Sequence, residues 1–194
     1  KTGHDPFLVQ KELGFNQAEP MIERYAGLLA EWRDSDQSVG RRIKDGLLYS
    51  LWGNQADLSL WPVGSETAPD HSDISALRDH LLDDQSQDII RLLTRKTTSQ
   101  GRVGIILDNA GLELVNDLVL VDILLETDSV GEITLLVKAH PTFVSDVIEQ
   151  DVRRTVSNLM DSNNQSVTQL GSRLDGYLEV ERLKIEADFF WNSP

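Results

Sequence analysis

A chain of 194 residues with 32 acidic and 18 basic side chains, a formal net charge of -14, is long enough to bury a core but too acidic for a nucleic-acid partner, which needs clustered Lys and Arg. The absence of cysteine excludes disulfides, thiolate zinc sites and thiol catalysis. With 40% hydrophobic and 26% charged residues the composition is that of a globular domain, and its negative field repels phosphorylated ligands unless a cation reverses it locally.

The chain starts at Lys1, and its opening KTGHDPFLVQ lacks the apolar run of a signal peptide, so a trimmed sequence is expected. Met21, Ile22, Tyr25, Leu28, Leu29 and Trp32 recur at three- and four-residue steps, which predicts an amphipathic helix over 19–32. A second stripe, Ile43, Leu47, Leu48 and Leu51, predicts another, and residues 1–53 are read as an N-terminal helical region capping an α/β domain at 54–194. The run NQADLSLWPVGSETAPDHSD reads as a long loop, of the kind that often carries function. Ser72 or Asp73 then caps a helix that carries Ile74, Leu77 and Leu81 and continues through Ile89 to Leu93, with a break near Asp83-Asp84.

Strand and helix alternate in the second half. RVGIIL (102–107) and ITLLVK (133–138) are short β-branched runs bounded by turn residues, as buried parallel strands are. Helices are expected over 111–126, 145–160 and from NNQS to about Asp175, and LEVERLKIE (178–186), which alternates apolar and charged residues, is expected to be a half-buried strand. This order predicts an α/β fold, a three-layer Rossmann-like parallel sheet with right-handed crossovers and an N-terminal helical cap. Glu113, Asn116, Asp117 and Asp122 interrupt the longest apolar stretch, so no membrane span is expected.

Ligands of such sheets collect beyond the carboxyl ends of the strands. Asp108 and Asn109 follow the first strand, and Asp146 follows the second across AHPTFVS. Two carboxylates and an amide oxygen, completed by water, make the hard oxygen shell that Mg²⁺ or Mn²⁺ prefers. The competing reading has Asp108 and Asn109 capping one helix and Asp146 in the first turn of the next. Spacing alone leaves both open.

The segments LWGNQADLSL, LDNAGLELVNDLVLVDILL and KAHPTFVSDV, in this order, resemble the signature segments of the DUF89 (damage-control phosphatase) family, in its acidic-residue-methyltransferase-like, sugar-phosphate-phosphatase branch. The similarity runs from DPFLVQKELG to FFWNSP. It implies that Asp108, Asn109 and Asp146 bind a divalent metal (Mn, Ni, Co or Mg) and form the catalytic centre. It further implies that Glu113, with Asn54 and Asp57 of the GNQAD segment, faces the substrate. The implied activity is hydrolysis of small phosphorylated metabolites such as ketose phosphates, in the cytoplasm. The chain departs from the family pattern in lacking a Lys-Gly-Asp-type phosphate-binding loop and an Arg-Thr-x-Lys motif, so 54–194 is expected to be an incomplete metal-binding domain. RTVS at 154–157 has no lysine and lies in a predicted helix.

Several residues carry bland expectations. Lys138 at a strand end and His140 in a Pro turn are read as exposed and packing residues, respectively; Trp52 and Trp61 are read as packing; Asp117 and Asp122 are read as solvated or hydrogen-bonded helix positions. Two alternative functions remain. One is an S-adenosylmethionine-dependent protein carboxyl (glutamate) O-methyltransferase, disfavoured by the single Gly of LDNAGLE. The other is a non-enzymatic acidic binding module. A haloacid-dehalogenase-like site needs a second Asp where Ala110 stands. Oligomeric state is not legible at this level.

Overall fold

The computed structural model describes residues 4–53, 81–95 and 101–192. Among the described residues four helices come first: α1 (Leu8–Gln17), α2 (Glu19–Asp34), α3 (Val39–Gly53) and α4 (Ser86–Leu93). The second half runs β1 (Arg102–Ile106), α5 (Leu112–Glu126), β2 (Glu132–Lys138), α6 (Glu149–Met160), α7 (Gln165–Glu179) and β3 (Leu183–Asp188), closing with a 3₁₀ turn at Phe189–Asn192. Among the described residues the sheet has the order β1-β2-β3, all parallel, with Ile105 opposite Leu135 and Ile133 opposite Leu183. This is the Rossmann-like α/β arrangement that the alternation of elements predicts.

Each strand turns alternate residues toward the helices. Ile133, Leu135 and Val137 of β2 are fully buried there, joined by Val103, Ile105, Leu183 and Ile185. Helices α5, α6 and α7 pack on the sheet, and α2 and α3 pack over α5 and α7. Helix α5 is therefore enclosed, and Leu112 through Leu125 are all buried. A helix that is apolar nearly all round requires such a position. Gly53 makes the α3–α5 approach possible near the site: a Cβ there would stand 3.1 Å from the Cα of Glu113 and from the Asn116 amide.

Three expectations need revision. LEVERLKIE is not one strand: α7 continues to Glu179, Glu181 turns the chain at φ 58°, and β3 begins at Leu183. The polar alternation there is produced by a helix end, because the Arg182 side chain folds back onto the carbonyls of Gly131, Leu125 and Val130. Helix α6 starts at Glu149, four residues later than expected, because Asp146 and Val147 pair with Asn109 and Asp108 just beyond β1. Helix α1 was not anticipated; its apolar stripe is weak, and the buried residues on it are Lys11 and Gly14. The expected break near Asp83-Asp84 is present, with α4 starting at Ser86. Ser72, Asp73, Ile74 and Leu77 lie outside the described residues.

Candidate active site

Beyond the carboxyl ends of β1 and β2 the backbone ties the two acidic segments together. Asn109 and Asp146 form an isolated antiparallel bridge; Ala110 N–H donates to the Ser145 carbonyl at 2.7 Å, and Val147 N–H to that of Asp108 at 2.9 Å. Val147 in turn accepts from Lys138 N–H at the end of β2, at 3.0 Å. Neither segment caps a helix. The N-cap of α5 is Gly111, and the acids in the first turn of α6 are Glu149 and Asp151. The capping reading of Asp108, Asn109 and Asp146 therefore fails on local geometry.

Between the two carboxylates lies the Lys138 ammonium, 2.6 Å from Asp108 Oδ1 and 3.7 Å from Asp146 Oδ2. Far from being exposed, Lys138 is buried, and its ammonium also reaches the Leu107 and Asp108 carbonyls. The Asp108 side chain stays 60% exposed, while the residues Asn109 and Asp146 are buried. Burial pushes the Asp146 carboxyl above its ordinary range; the Lys138 charge pulls it down, and that of Asp108 pushes it up again.

The Asn109 carboxamide is held from both sides. Its Oδ1 accepts from Ser145 Oγ at 2.7 Å, and its Nδ2 donates to Glu113 Oε2 at 2.9 Å. These bonds fix which end of the amide carries oxygen. Glu113, in the first turn of α5, is buried and so bonded to Asn109. Between β1 and α5, Gly111 adopts φ 86°, a conformation that favours glycine, and brings the N-terminus of α5 up behind Asn109.

A further acid lies one helical turn deeper. Asp117 accepts from Ser50 Oγ of α3 at 2.5 Å, and burial raises its pKa to about 7 despite that bond, with the charges of Glu113 and Asp108 adding to the rise. The His140 ring stays within its own turn, bonded to Thr142, and is tilted 60° to that of Phe189 at 5.7 Å between centroids. Asn54, Asp57 and Trp61 lie outside the described residues, although Gly53, just before Asn54, abuts Glu113.

Among the described residues no three His, Cys, Asp or Glu side chains gather as a metal-binding group. What converges is two carboxylates around an ammonium, beside a carboxamide oriented by its neighbours. Hard oxygen donors of this kind, already facing one cationic group, fit a divalent ion whose remaining positions are water. Sequence reasoning missed Lys138 and Ser145; both stand in the KAHPTFVSDV segment.

A model of the damage-control phosphatase ARMT1-like domain matches residues 2–194. The chain belongs to this family. Among its curated relatives, the damage-control phosphatase ARMT1 of mouse is 32% identical over 202 residues, and that of human 32% over 204, each alignment taking in 98% of this chain and 46% of the relative. The bovine protein of the same name is 35% identical over 157 residues, 76% of this chain and 35% of the relative. The chain thus spans about half the length of these relatives. The DNAGLE and FVSD segments of this ARMT1-like chain are the ones that meet at the strand tips.

Proposed function

We propose that the chain carries the metal-binding part of a damage-control phosphatase site acting on small phosphorylated metabolites, ketose phosphates among them, with Asp108, Asn109 and Asp146 holding one Mn, Ni, Co or Mg ion. The observation that carries this reading is the meeting of Asp108 and Asp146 on the Lys138 ammonium at adjacent strand tips. Family membership and the names of the relatives support it.

A divalent cation there supplies the positive charge that a phosphate ester requires in so acidic a chain. The protein's own groups do the rest. Ser145 and Glu113 keep the Asn109 amide oxygen in one orientation. Lys138 balances the two carboxylates when no other cation is present, and its ammonium is proposed to meet a phosphoryl oxygen beside them. The first-turn N–H groups of α5 point to the same rim, where an anion is favoured. Glu113, Asn54 and Asp57 are proposed to face the substrate.

The test is thermal melting with Mn²⁺ and with EDTA, beside a screen of sugar phosphates. A metal-dependent rise in melting temperature that Asp108→Ala removes is the expected result. Equal melting with Mn²⁺ and EDTA in the wild type, with no metal-stimulated turnover, would reject the reading in favour of a binding module.

A further inference from the structure

Helix α1 lies behind the site and touches both of its loops. The backbone of Gly14 comes within 4.0 Å of a Cβ placed on Gly111, the turn that follows Asn109. Lys11, one helical turn earlier, is only 5% exposed. Its ammonium donates to the backbone carbonyl of Asp146 at 2.7 Å, to Asp151 Oδ2 at 2.6 Å and to Asp5 Oδ2 at 2.9 Å. A lysine has three ammonium hydrogens, and these three acceptors use them all. Both acids are anchored in turn: Asp5 Oδ1 accepts from Phe7 N–H, and Asp151 Oδ2 from Ile148 N–H at the start of α6.

A buried ammonium is costly, and packing α1 by apolar contact alone would be as stable or more so. Pairing with Asp5 and Asp151 reduces that cost without reference to the site. The third bond goes to the main chain of Asp146 itself, the residue whose carboxylate faces Lys138. We propose that Lys11 is a positioning residue: its bond to the Asp146 carbonyl, braced by Asp5 and Asp151, fixes the direction in which the Asp146 carboxylate meets a divalent cation. The proposal rests on the reading of Asp146 as a metal ligand and extends it to an N-terminal helix outside the signature segments. Outer partners that orient a ligand typically contribute about 10- to 100-fold in metal affinity.

The experiment measures Mn²⁺ binding to the whole chain by titration calorimetry, at a temperature where circular dichroism shows every variant folded. The triple variant Asp5→Asn/Lys11→Met/Asp151→Asn removes the ammonium without leaving a buried charge unpaired. Its Kd for Mn²⁺ is expected to weaken about 10- to 100-fold. Ile22→Val, which loosens the core of α2 away from the site, serves as a control for instability and is expected to keep the wild-type Kd. Lys11→Arg retains the buried positive charge but replaces the point donor with a planar fork, and is expected to weaken binding to a lesser degree. Should the triple variant not fold, Lys11→Arg decides. Wild-type affinity in the deciding variant, or an equal loss in Ile22→Val, overturns the role of Lys11 alone. A wild-type chain that binds no Mn²⁺ overturns the metal site and this proposal together.

Discussion

Asp122 in the middle of α5 and Asp146 at the rim of the sheet are both acids removed from water, yet their partners differ. Asp122 has 1% of its side chain exposed and receives two bonds from Arg173 of α7, at 2.9 and 2.8 Å. One carboxylate meets one guanidinium in a bidentate pair, and nothing in that arrangement invites a ligand. At the rim, Asp146 shares Lys138 with Asp108, so two carboxylates face one ammonium, and the Asp108 side chain is open to solvent. Burial drives both Asp122 and Asp146 upward in pKa, and a neighbouring carboxylate adds to each rise, Glu126 at Asp122 and Asp108 at Asp146; what differs is that Asp122 is fully enclosed with its guanidinium while Asp108 leaves the rim open to solvent. The contrast separates a charge that joins helices from a surplus of negative charge at an open rim.

The first way to break the comparison is Asp146→Ala. Metal-stimulated turnover is expected to fall at least about 100-fold while the melting temperature without metal changes little. Unchanged turnover on a sugar-phosphate panel would remove Asp146 from the site. Asp122→Ala should do the reverse. Leaving Arg173 without its partner is expected to cost about 3–5 kcal/mol, read as a lower denaturation midpoint, with the Mn²⁺-induced rise in melting temperature kept. Loss of that rise in a folded Asp122→Ala protein would mean that the two regions are not separate.

Lys138→Met sharpens the picture of the rim. Without the ammonium the two carboxylates repel each other, so the metal-free protein should melt lower and Mn²⁺ should restore more stability than it does in the wild type. Turnover should still drop, on the order of tenfold, if the ammonium also meets phosphate. Equal Mn²⁺ shifts in both proteins would argue against competition for one position.

The last effect concerns pH and leaves the rim itself unchanged. Asp117 has its pKa raised from 3.8 to about 7 in the folded chain, first by burial and then by the charges of Glu113 and Asp108, against the Ser50 bond. The folded state therefore holds a proton that the unfolded state has released, and stability from this group falls as pH rises from about 4 to about 7. Asp117→Asn, which can still accept from Ser50, should remove that decline and gain on the wild type across this window. Parallel stability–pH curves for the two proteins would show that Asp117 titrates normally.

How much of this was legible beforehand varied with the physics of each segment. RVGIIL and ITLLVK announced themselves as buried strands because β-branched runs between turn residues leave few alternatives, and α5 because an all-round apolar helix must be enclosed. The α7 terminus was misread, because a helix end and a strand can both alternate apolar and charged residues over a few positions, and only the fold-back of Arg182 separates them. Asp108, Asn109 and Asp146 were named from the chain, and Glu113 from the resemblance, but the capping alternative for the first three could not be dismissed until the antiparallel bridge appeared. Asn54 and Asp57 remain proposals drawn from resemblance.

Residue order by itself determined the alternation of strands and helices, the acidic character that makes a cation useful, and the segments that mark the family. Periodicity and composition are local properties, readable wherever one face must be buried. Tertiary structure alone decided that Lys138 sits between Asp108 and Asp146, that Ser145 and Glu113 orient Asn109, and that Lys11 reaches Asp146 across 135 positions of sequence. A buried ammonium carries no signature in its neighbours along the chain, since what it binds is set by which elements the core brings together.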